Sequence, residues 1–263
     1  MKKLITLVLI IFMTVRMNAQ ENREQLYLLF EFMQVNDEKD SDYWQVEEFW
    51  SGIHKQRVAD KTILGWDMWS LTPAGVEQGS QYMTVTLFAS LKDMLQATTS
   101  WDIGNYVKKA YPDMKEKDLN AMFEKTVKAR DIAHQVFLKQ GDKTDDSFEM
   151  KIGTIATIDI MKQLDDGYEK AESEIFKPWH QDMVKKGKKG SWQILQVILP
   201  AGSESYGTHL TVSMFNDAAQ LASFMENTDG SEMDLMTELA VKEGFKTREW
   251  KEVKIATLQK MVR

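Results

Sequence analysis

His54 … Trp66 … Pro73-Ala74-Gly75 … Thr84-Val85-Thr86-Leu87-Phe88 is answered later in the chain by His180 … Trp192 … Pro200-Ala201-Gly202 … Thr211-Val212-Ser213-Met214-Phe215. The interval from His to Trp is 12 in both stretches (66 − 54; 192 − 180), and that from Pro to the Thr-Val pair is 11 in both (84 − 73; 211 − 200). From Trp to Pro it is 7 and then 8, so one inserted residue moves the offset from 126 to 127. Two rare residue types, a turn and a strand at matching intervals are the mark of a module written twice.

Each copy reads locally in the same order. Tyr27 to Gln34 and Thr154 to Met161 are rich in aromatic and branched residues, as buried strands are. Polar stretches, Asn36 to Asp42 and Gln163 to Gly167, lead into helices expected near Tyr43–Asp60 and Tyr168–Lys186. On the first helix Val46, Trp50, Ile53, His54 and Arg57 fall on one side at spacings of three and four. Ile175, Phe176, Trp179, His180 and Met183 do so on the second, where Pro178 predicts a kink or a late start. Strands are expected over Ile63–Thr72 and Ser191–Leu199. Pro-Ala-Gly turns follow, with Pro presetting φ and Gly free to take φ > 0. Return strands then run over Tyr82–Phe88 and His209–Phe215. Helical patterns follow at Leu91–Leu95, Lys115–Ala129 and Ala218–Phe224. Ile132–Leu138 and Val253–Leu258 close each copy as strand or as continued helix, preceded at corresponding points by Arg130-Asp131 and Arg248-Glu249.

The resulting order, β–α–β–β–α–(β) twice, predicts an α+β chain of two ferredoxin-like βαββαβ modules in tandem. Runs such as Trp192-Gln193-Ile194-Leu195-Gln196-Val197-Ile198-Leu199 are apolar on both faces and call for cover on both. Helices supply one cover. The other copy's sheet supplies the second, giving a fused pseudo-dimeric α/β barrel. The expected division is a leader over residues 1–19, a first module over 20–146 and a second over 147–263, with polar Gln140–Asp146 between the copies.

The leader rests on Lys2 and Lys3, the apolar run Leu4–Val15 and a small residue at Ala19, the layout of a cleavable export signal. The run is shorter than the ~20 residues a membrane span needs. The protein is therefore expected to be periplasmic or extracellular, without stable membrane insertion once the leader is removed. With no Cys in the chain, disulfides and thiolate metal sites are excluded. The net charge of −7, without a basic stripe, speaks against nucleic acid, and the run Lys185-Lys186-Gly187-Lys188-Lys189 reads as a solvated turn.

Taken with the Trp50-x-x-x-His54 and Trp179-His180 helices, Gly65-Trp66 and Gly190-Ser191-Trp192, and the two Pro-Ala-Gly turns, the chain resembles the dimeric α/β-barrel superfamily near its NIPSNAP and EthD-like branches. The resemblance spans nearly all of the mature chain. It implies ligand sites between sheet and helices. Superfamily members range over cofactor-independent oxygenases, haem enzymes, isomerases and stress proteins, so the resemblance fixes fold and not activity.

Ligand-pocket candidates are His54 and His180 with their neighbours Trp50, Trp179, Trp66 and Trp192, and the strand pair Tyr82 and His209, where the copies differ. Each His reads either as a base or hydrogen-bond partner for a ligand or as a packed structural ring. The Trp residues read as a stacking wall or as core. No catalytic residue is assigned, no metal site is expected, and no cofactor motif is present; the resemblance alone makes His134, His180 and His209 formal haem candidates. The function expected is an exported protein that binds a small apolar or aromatic molecule or is structural. The alternative is a cofactor-independent oxygenase or isomerase acting on an aromatic or quinone-like molecule. A monomer with internal pseudo-twofold symmetry is expected, because linkage supplies the partner module in cis.

Overall fold

A computed structural model describes residues 25–100, 102–145, 147–226 and 234–263. The leader at 1–19 lies outside the described residues. Strands are β1 (Tyr27–Val35), β2 (Gly65–Thr72), β3 (Tyr82–Phe88), β4 (Arg130–Lys143), β5 (Ile155–Gln163), β6 (Ser191–Leu199), β7 (His209–Phe215) and β8 (Arg248–Val262). Helices are α1 (Asp40–Ala59), α2 (Leu91–Thr99), α3 (Ile103–Ala110), α4 (Glu116–Ala129), α5 (Tyr168–Ala171), α6 (Lys177–Lys185), α7 (Ala218–Glu226) and α8 (Leu235–Lys246), with a π turn at Glu172–Phe176 between α5 and α6.

The strands close into one antiparallel barrel in the order β1-β3-β2-β8-β5-β7-β6-β4, with β4 returning to β1. Residues 27–143 contribute β4-β1-β3-β2 and residues 155–262 contribute β8-β5-β7-β6. The two sets meet edge to edge, through β2–β8 and β4–β6. Closure removes the free edges that an open sheet would present. Because strand side chains alternate in direction, each strand splits its apolar residues between two cores. Leu28, Phe30 and Phe32 of β1 meet Trp69, Val85, Ile158, Leu195, Val212 and Leu258 in the lumen. Leu29 and Met33 face outward and meet Tyr43 of α1, Trp66, Met68 and Phe88. Cover on both faces is what the doubly apolar strands called for, and the second cover is the barrel's own opposite wall.

Local signals account for the ends of elements. Ser90, Asp102 and Asp234 accept backbone N–H groups at the starts of α2, α3 and α8, satisfying donors that a helix start leaves unpaired. Gly75 and Gly202 take φ of 153° and 131°, the freedom each Pro-Ala-Gly turn needed; both prolines follow cis peptide bonds. Pro178 sits in the first turn of α6 directly after the π turn. Proline lacks an N–H, so the regular helical ladder is interrupted there and the backbone takes up an extra residue. That residue shifts the helix offset between the halves from 125 (Tyr43 to Tyr168, Glu47 to Glu172) to 126 (His54 to His180).

One expectation is corrected, one alternative is decided and two helices are added. Gln140 to Lys143 continue β4 rather than forming a linker, and a Cβ on Gly141 would stand 2.9 Å from Ile194 Cγ2, so the connection begins at Thr144. Ile132–Leu138 and Val253–Leu258, readable as strand or as continued helix, are strands, since barrel pairing to β1 and β5 outweighs any local helical pattern. Helices α3 and α8 are additional to those the sequence pattern predicts: α8 leaves Leu235, Met236 and Leu239 exposed, so no buried stripe marks it in the sequence. No helix among the described residues is long and apolar enough to cross a membrane.

A chain divided between residues 147 and 150 tests the closure. Either half alone would carry two unpaired sheet edges and half an apolar lumen, and is expected to dimerise or aggregate by light scattering. Soluble monomeric halves would show that the two strand sets do not depend on each other.

Candidate functional site

Helix α1 lies over the outward face of β1, β2 and β3, and its buried side includes Glu47, Ile53, His54 and Arg57. The His54 ring stacks on Trp66 at 4.9 Å and 16°. Arg57 Nη1 stands 3.2 Å from His54 Nδ1. A guanidinium can only donate, so Nδ1 is the acceptor and the ring proton sits on Nε2. Burial, then the charges of Arg57 and Arg130, hold His54 well below its usual pKa, so the ring is neutral. Glu47 accepts from Arg130 Nε at 3.1 Å. Burial pushes its carboxyl up to about 7 against the opposing pull of Arg130. Glu31 on β1 accepts from Thr84 at 3.4 Å and from Gln135 at 2.9 Å. These groups line a cavity of about 310 Å³ together with Trp50, whose indole donates to Thr126 Oγ1 at 3.2 Å.

The other half repeats the arrangement with different filling. His180 stacks on Trp192 at 4.7 Å and 14°. Glu172 on the π turn is ion-paired with Arg248 at the start of β8, as Glu47 is with Arg130 at the start of β4. Burial again pushes the carboxyl to about 7, opposed by the arginine. Asp159 and Thr211, bonded at 3.1 Å, stand where Glu31 and Thr84 stand. Here the cation beside the histidine is Lys189, 3.0 Å from His180 Nδ1 and 3.0 Å from Ser213 Oγ, with the Phe224 ring 4.4 Å away. Lys189 is 2% exposed, which overturns its reading as part of a solvated turn. Turning into the sheet–helix layer exchanges hydration for two hydrogen bonds and aromatic faces, and burial lowers its amine to about 7.

Of the residues singled out in the sequence, Trp50, His54 and Trp66 come together in the 310 Å³ cavity. Trp179, His180 and Trp192 form the Lys189 cluster. Tyr82 is elsewhere, donating to Asp40 at 2.6 Å and accepting from Trp44 at 3.2 Å near the start of α1. His209, its counterpart, lies tilted against the Tyr168 ring at 4.7 Å and faces Glu169 at 3.1 Å, in a separate polar cavity of about 220 Å³. Glu47, Arg130, Glu172, Arg248, Glu31 and Asp159 were not proposed from sequence. The matched Arg130 and Arg248 at the heads of the closing strands were the available signal, since buried acids needed partners at those points.

Haem, implied for part of the superfamily, does not fit at His54, His180 or His209. An axial imidazole donates Nδ1–H to an acceptor and offers its Nε2 lone pair to iron. At His54 and His180 the Nδ1 side is taken by Arg57 and Lys189, and both nitrogens of His209 already have partners; His134 lies apart from these, on the wall of another cavity with Phe32 and Ile160. Among the described residues no group of three or more His, Cys, Asp or Glu could hold a metal ion.

No family model and no curated protein matches the chain. Solved structures do. A presumptive monooxygenase from Fusobacterium nucleatum subsp. nucleatum ATCC 25586 aligns at a TM-score of 0.57 and 10% identity, over 92% of this chain and 95% of that one. A mutant chlorite dismutase from Candidatus Nitrospira defluvii aligns at 0.54 and 10%, over 89% and 92%. An anthrone oxidase-like protein aligns at 0.50 and 12%, over 91% and 93%. At such identities the likeness is one of fold alone.

Proposed function

We propose that the protein binds a small planar aromatic molecule bearing an acidic oxygen, in the cavity beneath α1 of the first half. The observation that carries this is the composition of that cavity. The His54–Trp66 stack gives a flat wall, and Arg57, Arg130 and the His54 Nε2–H supply donors around it. In titration calorimetry 2-naphthoate is expected to bind one to one. Arg57→Gln is expected to weaken it by roughly 10- to 100-fold, the worth of one charged hydrogen bond. Absence of binding, or equal affinity in the variant, would sink this reading.

A second reading, a cofactor-independent oxygenase or isomerase, is favoured by Glu47. A buried carboxyl near pH 7 in the same cavity is suited to take a proton from a bound hydroxyl. The monooxygenase-like and anthrone oxidase-like neighbours agree with it at the level of fold. If it holds, Glu47→Gln abolishes oxygen uptake on a phenolic substrate while 2-naphthoate still binds.

We further infer two ferredoxin-like modules in tandem, forming a pseudo-dimer within a monomeric chain of the NIPSNAP/EthD-like kind. Equal strand orders in the two sets, paired His–Trp stacks and paired Glu–Arg bridges support this. Export rests on the leader, and N-terminal sequencing of the secreted protein would test it.

A further inference from the structure

The barrel lumen is separate from the cavity beneath α1 and is not fully filled. At one end it leaves a space of about 280 Å³ walled by Leu28, Phe30, Trp69, Val85, Ile158 and Val212, with the small Ala156 and Ala256 leaving room. Trp69 is 3% exposed, and its indole Nε1–H has no hydrogen-bond partner. A buried donor without an acceptor is costly and rarely kept without a reason. Packing does not supply that reason. Trp66 corresponds to Trp192, so Trp69 corresponds to Leu195, which fills the matching lumen position in the other half with no polar atom.

Water is a poor partner for this N–H, because an internal water needs two to four polar contacts. Two polar pairs at the cavity mouth are already engaged, Asp67 with Arg263 at 2.8 Å and Gln140 with Gln193. No buried counter-ion awaits a formal charge: Lys143, on the cavity rim, is exposed and keeps its charge in water, and Lys254, towards the opposite end, is paired with Glu252 at 2.7 Å. What the space lacks is one acceptor on an apolar body. We propose that the lumen is a second binding site, taking a neutral apolar molecule with a single carbonyl oxygen, a ketone or ester, that accepts from the Trp69 indole.

A matched pair of probes isolates the oxygen. 2-Acetylnaphthalene and 2-ethylnaphthalene have nearly the same shape, and only the first has an acceptor. By calorimetry on the full chain, the ketone is expected to bind one to one and about tenfold more tightly than the hydrocarbon, the worth of one buried hydrogen bond. Trp69→Phe is expected to erase that preference while leaving 2-ethylnaphthalene unchanged. Ala256→Leu, which fills the lumen, is expected to abolish binding of both. Failure of the ketone to bind, equal affinity for the two probes, or a preference that persists in Trp69→Phe would overturn the proposal. So would ketone binding that survives Ala256→Leu but falls in Arg57→Gln, since that would place the probe beneath α1. The 2-naphthoate titration is independent of this outcome, so the two sites stand or fall separately.

Discussion

Replacing Glu172 with alanine is expected to destabilise the protein by about 3–5 kcal/mol, the largest loss from any single polar side chain discussed above. Glu172 is 1% exposed and ion-paired with Arg248, whose guanidinium lies over Phe176 at 4.2 Å and Tyr168 at 4.8 Å. The two partners are not equivalent. A carboxyl that loses its arginine can escape by taking a proton, and burial has already pushed this one to about 7. A guanidinium that loses its carboxylate cannot shed its charge, and stays desolvated among aromatic rings. Glu172→Ala should therefore be much worse than Arg248→Met. In a chain of this size the loss corresponds to a melting-temperature drop of about 10 °C. The double variant Glu172→Leu with Arg248→Met should recover most of it, because two apolar side chains avoid both desolvation costs. Thermal melts of the three variants decide the matter. If Glu172→Ala melts within about 2–3 °C of wild type, a loss of about 1 kcal/mol, the pair contributes no more than a surface bridge would.

Stability is expected to rise by about 3–5 kcal/mol between pH 7 and pH 10 because of Lys189, and to stay nearly flat over that range in Lys189→Met. Burial lowers the amine from 10.5 to about 7, with Asp159 opposing the shift. Between those values the unfolded chain holds the proton and the folded chain has released it. The stabilising contribution is thus complete above pH 10.5 and is lost as pH falls towards 7. Asp159 and His180 are the titratable neighbours, and neither confuses this window: burial raises the first from an acidic value and lowers the second from near neutrality. Glu47 and Glu172 act in the opposite sense and lower down. Their raised pKa values contribute stability that is present below 4.5 and lost as pH rises to about 7. Urea unfolding at pH 7 and pH 10 separates the cases. Parallel shifts in wild type and Lys189→Met would mean that Lys189 keeps its proton when folded.

The sequence by itself determined the alternation of strands and helices, the Pro-Ala-Gly turns with their positive-φ glycines, and the recurrence in each half of a helix His followed twelve residues later by a strand Trp. Each of these depends on chemistry close along the chain: two-residue alternation, a turn that needs glycine, a helix face that repeats every three or four residues. It also showed, through strands apolar on both faces, that something must cover the second face of each sheet. The expectation that the other half's sheet is that cover also came from the sequence; tertiary structure alone decided that the two strand sets meet edge to edge, because the β2–β8 and β4–β6 contacts join residues of different halves of the chain and leave no periodic trace. The same holds for the charges. Arg57, Arg130, Lys189 and Arg248 look alike in sequence, as polar residues at the ends of elements. Only the fold reveals that Lys189 turns inward while Lys185 and Lys186 stay in solvent, and that Arg130 and Arg248 each meet a buried acid on a helix. Whether a polar group is hydrated, paired or left without a partner, as at Trp69, is a property of its surroundings, and those surroundings are assembled from distant parts of the chain.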